Sequence, residues 1–391
     1  MSKETAPRLL VVDDIEDNRD LLVRRLRRIG YQDIETAGDG QQALDLIRAR
    51  TFDTVLLDVM MPRVSGVAVL ETMRAENRLE ATPVIMISAA TELETVVRCL
   101  ELGAEDYLSK PFNPTLLRAR LGSVLEKRAL RAEVRRQLAR VEQELADARR
   151  QQLSMVPDEF PTGAGAVRAE MHAVLHPARE IGGDLYDCFL VGEDRLCFAV
   201  GDVSGKGTPA ALFMARARSL LRAATLQAYQ TAGHPPDPAA ILALMNAELC
   251  KNNPIGMFIT LFSGMLDLRD GTLTYVCAGH VRPYILRAAA PVAELVCRAD
   301  TPPGAIEEAV YRAATLRLQP GEAMVVISDG VPDTLDPAGQ AFGLAGVRAA
   351  LDMMRKAPPA AITTGLVDRI FGFAAGTPQQ DDVTVLALRL P

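Results

Sequence analysis

Asp13, Asp14, Asp58, Ser88 and Lys110 stand at the ends of short apolar runs: RLLVVDD, DTVLLDVMM, PVIMISA and EDYLSKP. If those runs are strands of one parallel sheet, all five residues fall on one edge of it, outside the carboxyl ends where such sheets bind ligands. Three crowded carboxylates repel one another until a hard divalent cation neutralises them. Magnesium suits, because it uses few carboxylates and keeps positions for water and phosphate oxygens. Such a site can transfer a phosphoryl group onto a carboxylate. A single Asp at a strand end says little, since Asp favours caps and loops; five matching positions in order say much more.

A second set of carboxylates is spread over the C-terminal part. EIGGDLYD (180–187), GDVSGKG (201–207), ISDG (327–330) and QDDVTVL (380–386) each place an Asp where an apolar run meets a Gly-containing or polar turn. Glycine lets backbone approach a metal or phosphate closely. Carboxylates gathered from four distant segments make an oxygen-rich site suited to two magnesium or manganese ions, and such a pair can activate water for in-line displacement at phosphorus.

The elements that must position these residues follow from the periodicity. From Arg8 to about Leu125 five apolar runs alternate with helical patterns, which predicts a doubly wound α/β domain with a five-stranded parallel sheet over residues 1–125. Residues 126–155 are rich in Arg, Glu, Ala, Gln and Leu, with no Gly or Pro between Gly122 and Pro157, so the last helix continues from Pro114 into the linker. Val134, Leu138, Val141, Leu145 and Ala148 form a short heptad seam that predicts a dimeric coiled coil. Residues 156–391 contain seven strand-like runs and four helical ones, an α+β layered β-sandwich with helices.

Over residues 7–125 the chain resembles the response-regulator receiver domain, on VVDD, LLDVMMP, Ser88, Tyr107 and KP at 110–111. The resemblance implies that Asp58 accepts phosphate from a histidine kinase. It implies that Asp13, Asp14 and Asp58 hold magnesium with the Met60 carbonyl, that Ser88, Tyr107 and Lys110 respond to phosphorylation, and that the Lys110–Pro111 peptide is cis. Residues 155–391 look like the metal-dependent protein phosphatase (PPM, protein phosphatase 2C-like) family in its sporulation and stress-response, SpoIIE-like, branch. That likeness implies that Asp202, Asp329 and Asp381 bind metal with the Val203 carbonyl, that Asp184 binds metal or its water, and that Asp382 is the lesser member of its pair. The PAALFMA helix and the AGH segment at 278–280 also fit. The family's AGH is usually followed by two prolines, whereas Val281 and Arg282 follow here. His280 reads as a turn residue more than a catalytic one, and Arg179 and Lys206 are candidates for holding the substrate phosphate.

Composition narrows the classes. With 43 Lys and Arg against 50 Asp and Glu the net charge of the 391 residues is −7, and no basic helix-turn-helix follows the first domain, which disfavours a nucleic-acid partner. Six cysteines without a C-x-x-C pair, and four scattered histidines, offer no zinc spacing and read as free thiols. No apolar run approaches the roughly 18 residues of a membrane span, and no leader pattern opens the chain, so a cytoplasmic protein is expected. GGD at 182–184 lacks the acidic-aromatic continuation of a diguanylate cyclase, since Leu185 and Tyr186 follow.

The expected function is a two-component response regulator that dephosphorylates phosphoserine or phosphothreonine on a partner, an anti-sigma-factor antagonist by resemblance, under the control of Asp58. The rival is a phosphorylation-controlled adaptor whose phosphatase-like fold only binds. Four acidic positions favour the enzyme, because a binding surface does not need them and burying them without a cation is costly.

Overall fold

The computed structural model describes residues 6–89, 93–160 and 169–391. The chain divides into two compact units, residues 1–141 and 142–391. In the first, β1 (Arg8–Val12), α1 (Glu16–Arg28), β2 (Asp33–Ala37), α2 (Gly40–Ala49), β3 (Thr54–Asp58), α3 (Gly66–Ala75), β4 (Val84–Ala89), α4 (Leu93–Leu102) and β5 (Asp106–Lys110) alternate strictly. All strands are parallel, in the order β2-β1-β3-β4-β5. Successive strand residues point to opposite faces. Leu10, Val12, Val55 and Leu57 therefore join one apolar cluster, and Leu9, Val11, Leu56, Ile85 and Ile87 the other. This two-sided burial explains why the strands read as unbroken apolar runs.

The helix α5 (Pro114–Leu153) runs for 40 residues. Its first turns pack on the sheet through Leu117, Leu121 and Val124. Further on, Lys127 and Arg131 pair with Glu105, Arg128 with Asp53 and Arg135 with Glu80. Beyond them Val134, Leu138 and Val141 stay 66%, 57% and 49% exposed, so the predicted seam is an uncovered apolar stripe.

The second unit begins with β6 (Glu170–His176), β7 (Leu185–Val191), β8 (Arg195–Val203), α6 (Thr208–Ala232) and α7 (Pro238–Cys250). It continues with β9 (Ile259–Asp267), β10 (Thr272–Ala278), β11 (Tyr284–Arg287), β12 (Ala290–Glu294), β13 (Ala314–Arg317) and β14 (Ala323–Ile327), then α8 (Gly330–Asp333), α9 (Gly343–Met353), α10 (Pro359–Ala374) and β15 (Val383–Arg389). Two antiparallel five-stranded sheets result, β13-β10-β9-β8-β7 and β12-β11-β14-β15-β6. Leu196, Phe198, Val200, Phe262 and Tyr275 of the first sheet and Met324, Val326, Leu386 and Leu388 of the second interdigitate in one core. The alternate residues face outwards: Ala199, Val203 and Leu261 against α6 and α7, and Val325, Ile327, Val383 and Val385 against α9 and α10. The layers are therefore helix, sheet, sheet, helix, a β-sandwich covered on both sides.

Antiparallel pairing sets the start of one strand beside the end of its neighbour. Leu185 pairs with Gly201, and Ile327 with Val385. Asp184 before β7 thus lies next to Asp202 at the end of β8, and Asp329 after β14 next to Asp381 and Asp382 before β15.

Candidate functional site

In the first unit, oxygen atoms of Asp13, Asp14 and Asp58 lie within 4.8 Å of one another. Lys110 Nζ donates to Asp13 Oδ2 and to Asp58 Oδ2, both at 2.8 Å. Burial pushes the Asp58 carboxyl above its ordinary range and Asp13 and Asp14 add repulsion, which Lys110 partly offsets. Burial alone would lower the Lys110 ammonium, yet its bonds to Asp13 and Asp58 leave it above its ordinary value. A lysine fixed across two carboxylates, with Asp14 exposed beside them, leaves hard oxygen donors open to solvent. This donor set fits magnesium.

Ser88 is buried at the end of β4. Tyr107 is half-buried with the Arg120 guanidinium 5.4 Å over its ring. Met60 is 65% exposed, and the Lys110–Pro111 peptide is cis. Gly66 opens α3 against β3, where a Cβ would lie 1.9 Å from the Asp58 carbonyl oxygen.

In the second unit the four segments meet at one end of the sandwich. Asp382 accepts three backbone bonds, from Ala178 N (2.8 Å), Gly183 N (2.7 Å) and Asp184 N (3.2 Å). Its lone pairs hold the loop before β7. Gly182 presses on the same carboxylate, with room for no Cβ: one would lie 2.1 Å from Oδ2. Thr384 Oγ1 donates to Asp184 Oδ2 at 2.6 Å and ties the two sheets together. Asp381 is turned the other way, 40% exposed, with Lys206 Nζ at 2.9 Å; that ammonium also donates to the Gln380 carbonyl at 2.6 Å.

Burial and like charge dominate the electrostatics, offset only in part by Lys206. Burial, then repulsion from Asp329 and Asp381, pushes the Asp202 carboxyl up to about 7. Asp184 is raised well above the carboxylate range by burial and by Asp202 and Asp382, and Asp329 is raised by burial and Asp381. Hard oxygen ligands with mutual repulsion fit magnesium or manganese. Among the described residues no three of these carboxylates converge as tightly as Asp13, Asp14 and Asp58. With metal bound, Asp184, Asp202, Asp329, Asp381 and the Val203 carbonyl are the groups that would hold it.

His280 is buried, and burial lowers its pKa to about 4, so the ring is neutral. Thr260 Oγ1 lies 3.1 Å from His280 Nδ1 and 3.3 Å from the Asp202 carbonyl, a link between the AGH turn and the strand end that carries Asp202. Arg179 is exposed and shares a small crevice with Asp202, Lys206 and Asp381.

Two supporting residues escape sequence reading. Asp187, the last residue of EIGGDLYD, is fully buried and takes the Arg222 guanidinium at 2.9 and 2.5 Å and Arg218 at 3.2 Å, which fastens α6 to β7. Gln152, in the last turn of α5, is buried against the Gly182 peptide. Arg218 and Arg222 at i and i+4 on an otherwise largely apolar helix were a usable signal for the first; a Gln among charged residues gave none for the second.

A five-stranded parallel sheet with an aspartate and lysine pocket, followed by a PP2C-type sandwich with acidic strand ends, defines a response regulator with a phosphatase-fold output domain. Residues 9–122 match the response regulator receiver domain. Residues 192–391, just over half of the chain, match Stage II sporulation protein E (SpoIIE), and the chain belongs to that family. Protein IcfG of Synechocystis sp. is 29% identical over 265 residues, 63% of this chain and 41% of that protein. The probable transcriptional regulator ycf27 of Guillardia theta is 40% identical over 124 residues, 32% of this chain and 47% of that one. The chain spans less than half the length of these curated relatives. The SiaA-PP2C domain of Pseudomonas aeruginosa shares the fold, with a TM-score of 0.56 and 23% identity over 65% of this chain and 98% of that domain. Among the described residues no helix is long and apolar enough to cross a membrane.

Proposed function

We propose that the chain is a two-component response regulator in which phosphorylation of Asp58 by a histidine kinase controls metal-dependent hydrolysis of phosphoserine or phosphothreonine on a partner protein. The observation that carries this reading is the convergence of Asp184, Asp202, Asp329 and Asp381 from four segments at one end of the sandwich, with the Asp184, Asp202 and Asp329 carboxyls raised by burial and by repulsion from their neighbours. An adaptor gains nothing from such repulsion. Two bound divalent ions supply activation of water and an electrostatic clamp on the phosphoryl oxygens. The chain's own groups then have distinct tasks. The four aspartates and the Val203 carbonyl hold the ions, Asp382 fixes the loop carrying Asp184, and Arg179 and Lys206 flank the place where a phosphate enters.

The substrate is proposed, on the family resemblance, to be an anti-sigma-factor antagonist. Coupling is proposed to run through α5, with the exposed stripe of Val134, Leu138 and Val141 forming a homodimeric coiled coil. The test is turnover of a phosphoserine protein with manganese or magnesium, and its loss in Asp202→Ala and Asp329→Ala with the fold kept by circular dichroism. Full activity in either variant or in metal-free protein would support the adaptor instead.

A further inference from the structure

The segment that follows β12 leaves the edge of the second sheet and returns to the first. Leu295 N–H donates to the Pro283 carbonyl at 2.7 Å, and Asp300 N–H donates to the Cys277 carbonyl at 2.9 Å, so that Asp300 bridges Ala278 at the end of β10. Cys297 lies between these two anchors and packs on the inner core that holds Cys277. Both are free thiols, and the Cys277 S–H has two acceptors in reach, the His280 carbonyl at 3.5 Å and the Cys297 sulfur. Cys277 is 3% exposed, whereas Cys297 is half-buried and keeps part of its surface in solvent.

Their surroundings divide the roles. The hydrogen bond from Cys277 and the positive charge of Arg282 favour the Cys297 thiolate against the opposing effect of burial. The same hydrogen bond, together with burial, keeps Cys277 protonated. The thiolate is the nucleophile, so an accessible thiol of this kind is oxidised first. Burial raises the pKa of each of the other four thiols. Cys188 and Cys197 stand on paired strands, yet one joins the inner core and the other the outer face of the sheet.

We infer that Cys277 and Cys297 form a reversible disulfide when the chain meets hydrogen peroxide, with Cys297 as the attacking thiol and Cys277 as the resolving one. The Cys297 sulfur attacks one peroxide oxygen: an S–O bond forms, the O–O bond breaks, and the departing hydroxide takes up the proton the thiol has lost, leaving a sulfenic acid. The Cys277 sulfur then attacks the Cys297 sulfur. The S–S bond forms as the S–O bond breaks, and the second hydroxide leaves with the Cys277 proton as water. Two thiols give up two electrons, and one peroxide becomes two waters. A small dithiol reverses the change by exchange. The bond closes residues 277–297 into a loop around β11 and β12 and staples the first sheet to the second beside the turn that carries His280.

The test treats the full-length protein with hydrogen peroxide, blocks the remaining thiols with N-ethylmaleimide and maps the digest by mass spectrometry. A peptide linking Cys277 to Cys297 should appear, two of the six thiols should escape alkylation, and dithiothreitol should restore both. Oxidation should raise the melting temperature of the second unit by about 5–10 °C. Cys297→Ser, at the half-buried position, should lose both the link and the rise. Cys277→Ser should leave Cys297 as a sulfenic acid that dimedone labels; should that variant fail to fold, the linked peptide and Cys297→Ser decide alone. The inference is overturned if Cys297 is alkylated as readily after peroxide as before, if it ends as a sulfinic acid in the wild type, or if its disulfide joins two chains. A rise that persists in Cys297→Ser places the staple elsewhere and overturns it as well.

Discussion

The side-chain amide of Gln152 makes both hydrogen bonds that the Gly182 peptide offers: Nε2 donates to the Gly182 carbonyl at 2.6 Å, and Gly182 N–H donates to Oε1 at 3.1 Å. Gly182 in turn packs on the Asp382 carboxylate, which holds the backbone of Gly183 and Asp184. The last turn of α5 is thus two peptide units from an aspartate of the acidic cluster. Removing the amide strands a buried peptide, so Gln152→Ala should cost about 1–3 kcal/mol. Denaturant unfolding measures that, and faster amide exchange at Gly182 localises it; unchanged protection there would separate Gln152 from the loop.

Adjacent aspartates should fail differently. Asp382→Asn turns a donor towards backbone N–H groups that now meet a carboxylate, and should lower stability by about 1–3 kcal/mol. Asp381→Asn, at a half-exposed position, should barely change the melting temperature and should weaken manganese dependence. Calorimetric unfolding beside a manganese titration distinguishes the two; equal stability loss in both would contradict the division of labour.

Asp187→Ala leaves Arg218 and Arg222 facing a buried hole. Breaking a buried pair by removing one partner costs about 3–5 kcal/mol, less here because Arg222 remains 34% exposed. Replacing Asp187 and Arg222 together by apolar residues should recover part of the loss, as a double-mutant cycle would show. No recovery would mean that Asp187 acts elsewhere.

Much of this architecture was legible because burial on two faces writes itself as apolar runs. The receiver strands ended at Asp13, Asp58, Ser88 and Lys110, so their edge could be named without coordinates. The sandwich was harder. LYDCFLV follows GGD directly and read as part of an acidic motif, although it is the buried strand β7. The edge strand β13 is short and mostly exposed, so it carries no alternation to detect. The separate tasks of Asp381 and Asp382 depend on which way each side chain turns from one backbone, and Gln152 is buried only because a loop thirty residues on covers it. Such pairings are tertiary, and no local pattern encodes them.

If α5 transmits rotation, four residues inserted after Arg140 turn whatever follows by about 40°, whereas seven return it to within roughly 20° of phase. Control by Asp58 should survive the seven-residue insertion better than the four-residue one. Phosphatase assays with and without a phosphodonor compare them. Equal control in both would remove the rigid helix from the account, and a monomer in both phosphorylation states by sedimentation would remove the coiled coil.

The central claim, that an acyl phosphate on Asp58 governs a metal-dependent phosphatase, is tested most directly by manganese-dependent turnover of a phosphoserine protein with and without beryllofluoride, a phosphoryl mimic. The account predicts turnover that vanishes on chelation and changes several-fold with the mimic in the wild type. In Asp58→Ala, which should also lose labelling by a small phosphodonor, turnover should persist and ignore the mimic. Turnover that survives chelation, or a response to the mimic that survives in Asp58→Ala, would contradict it.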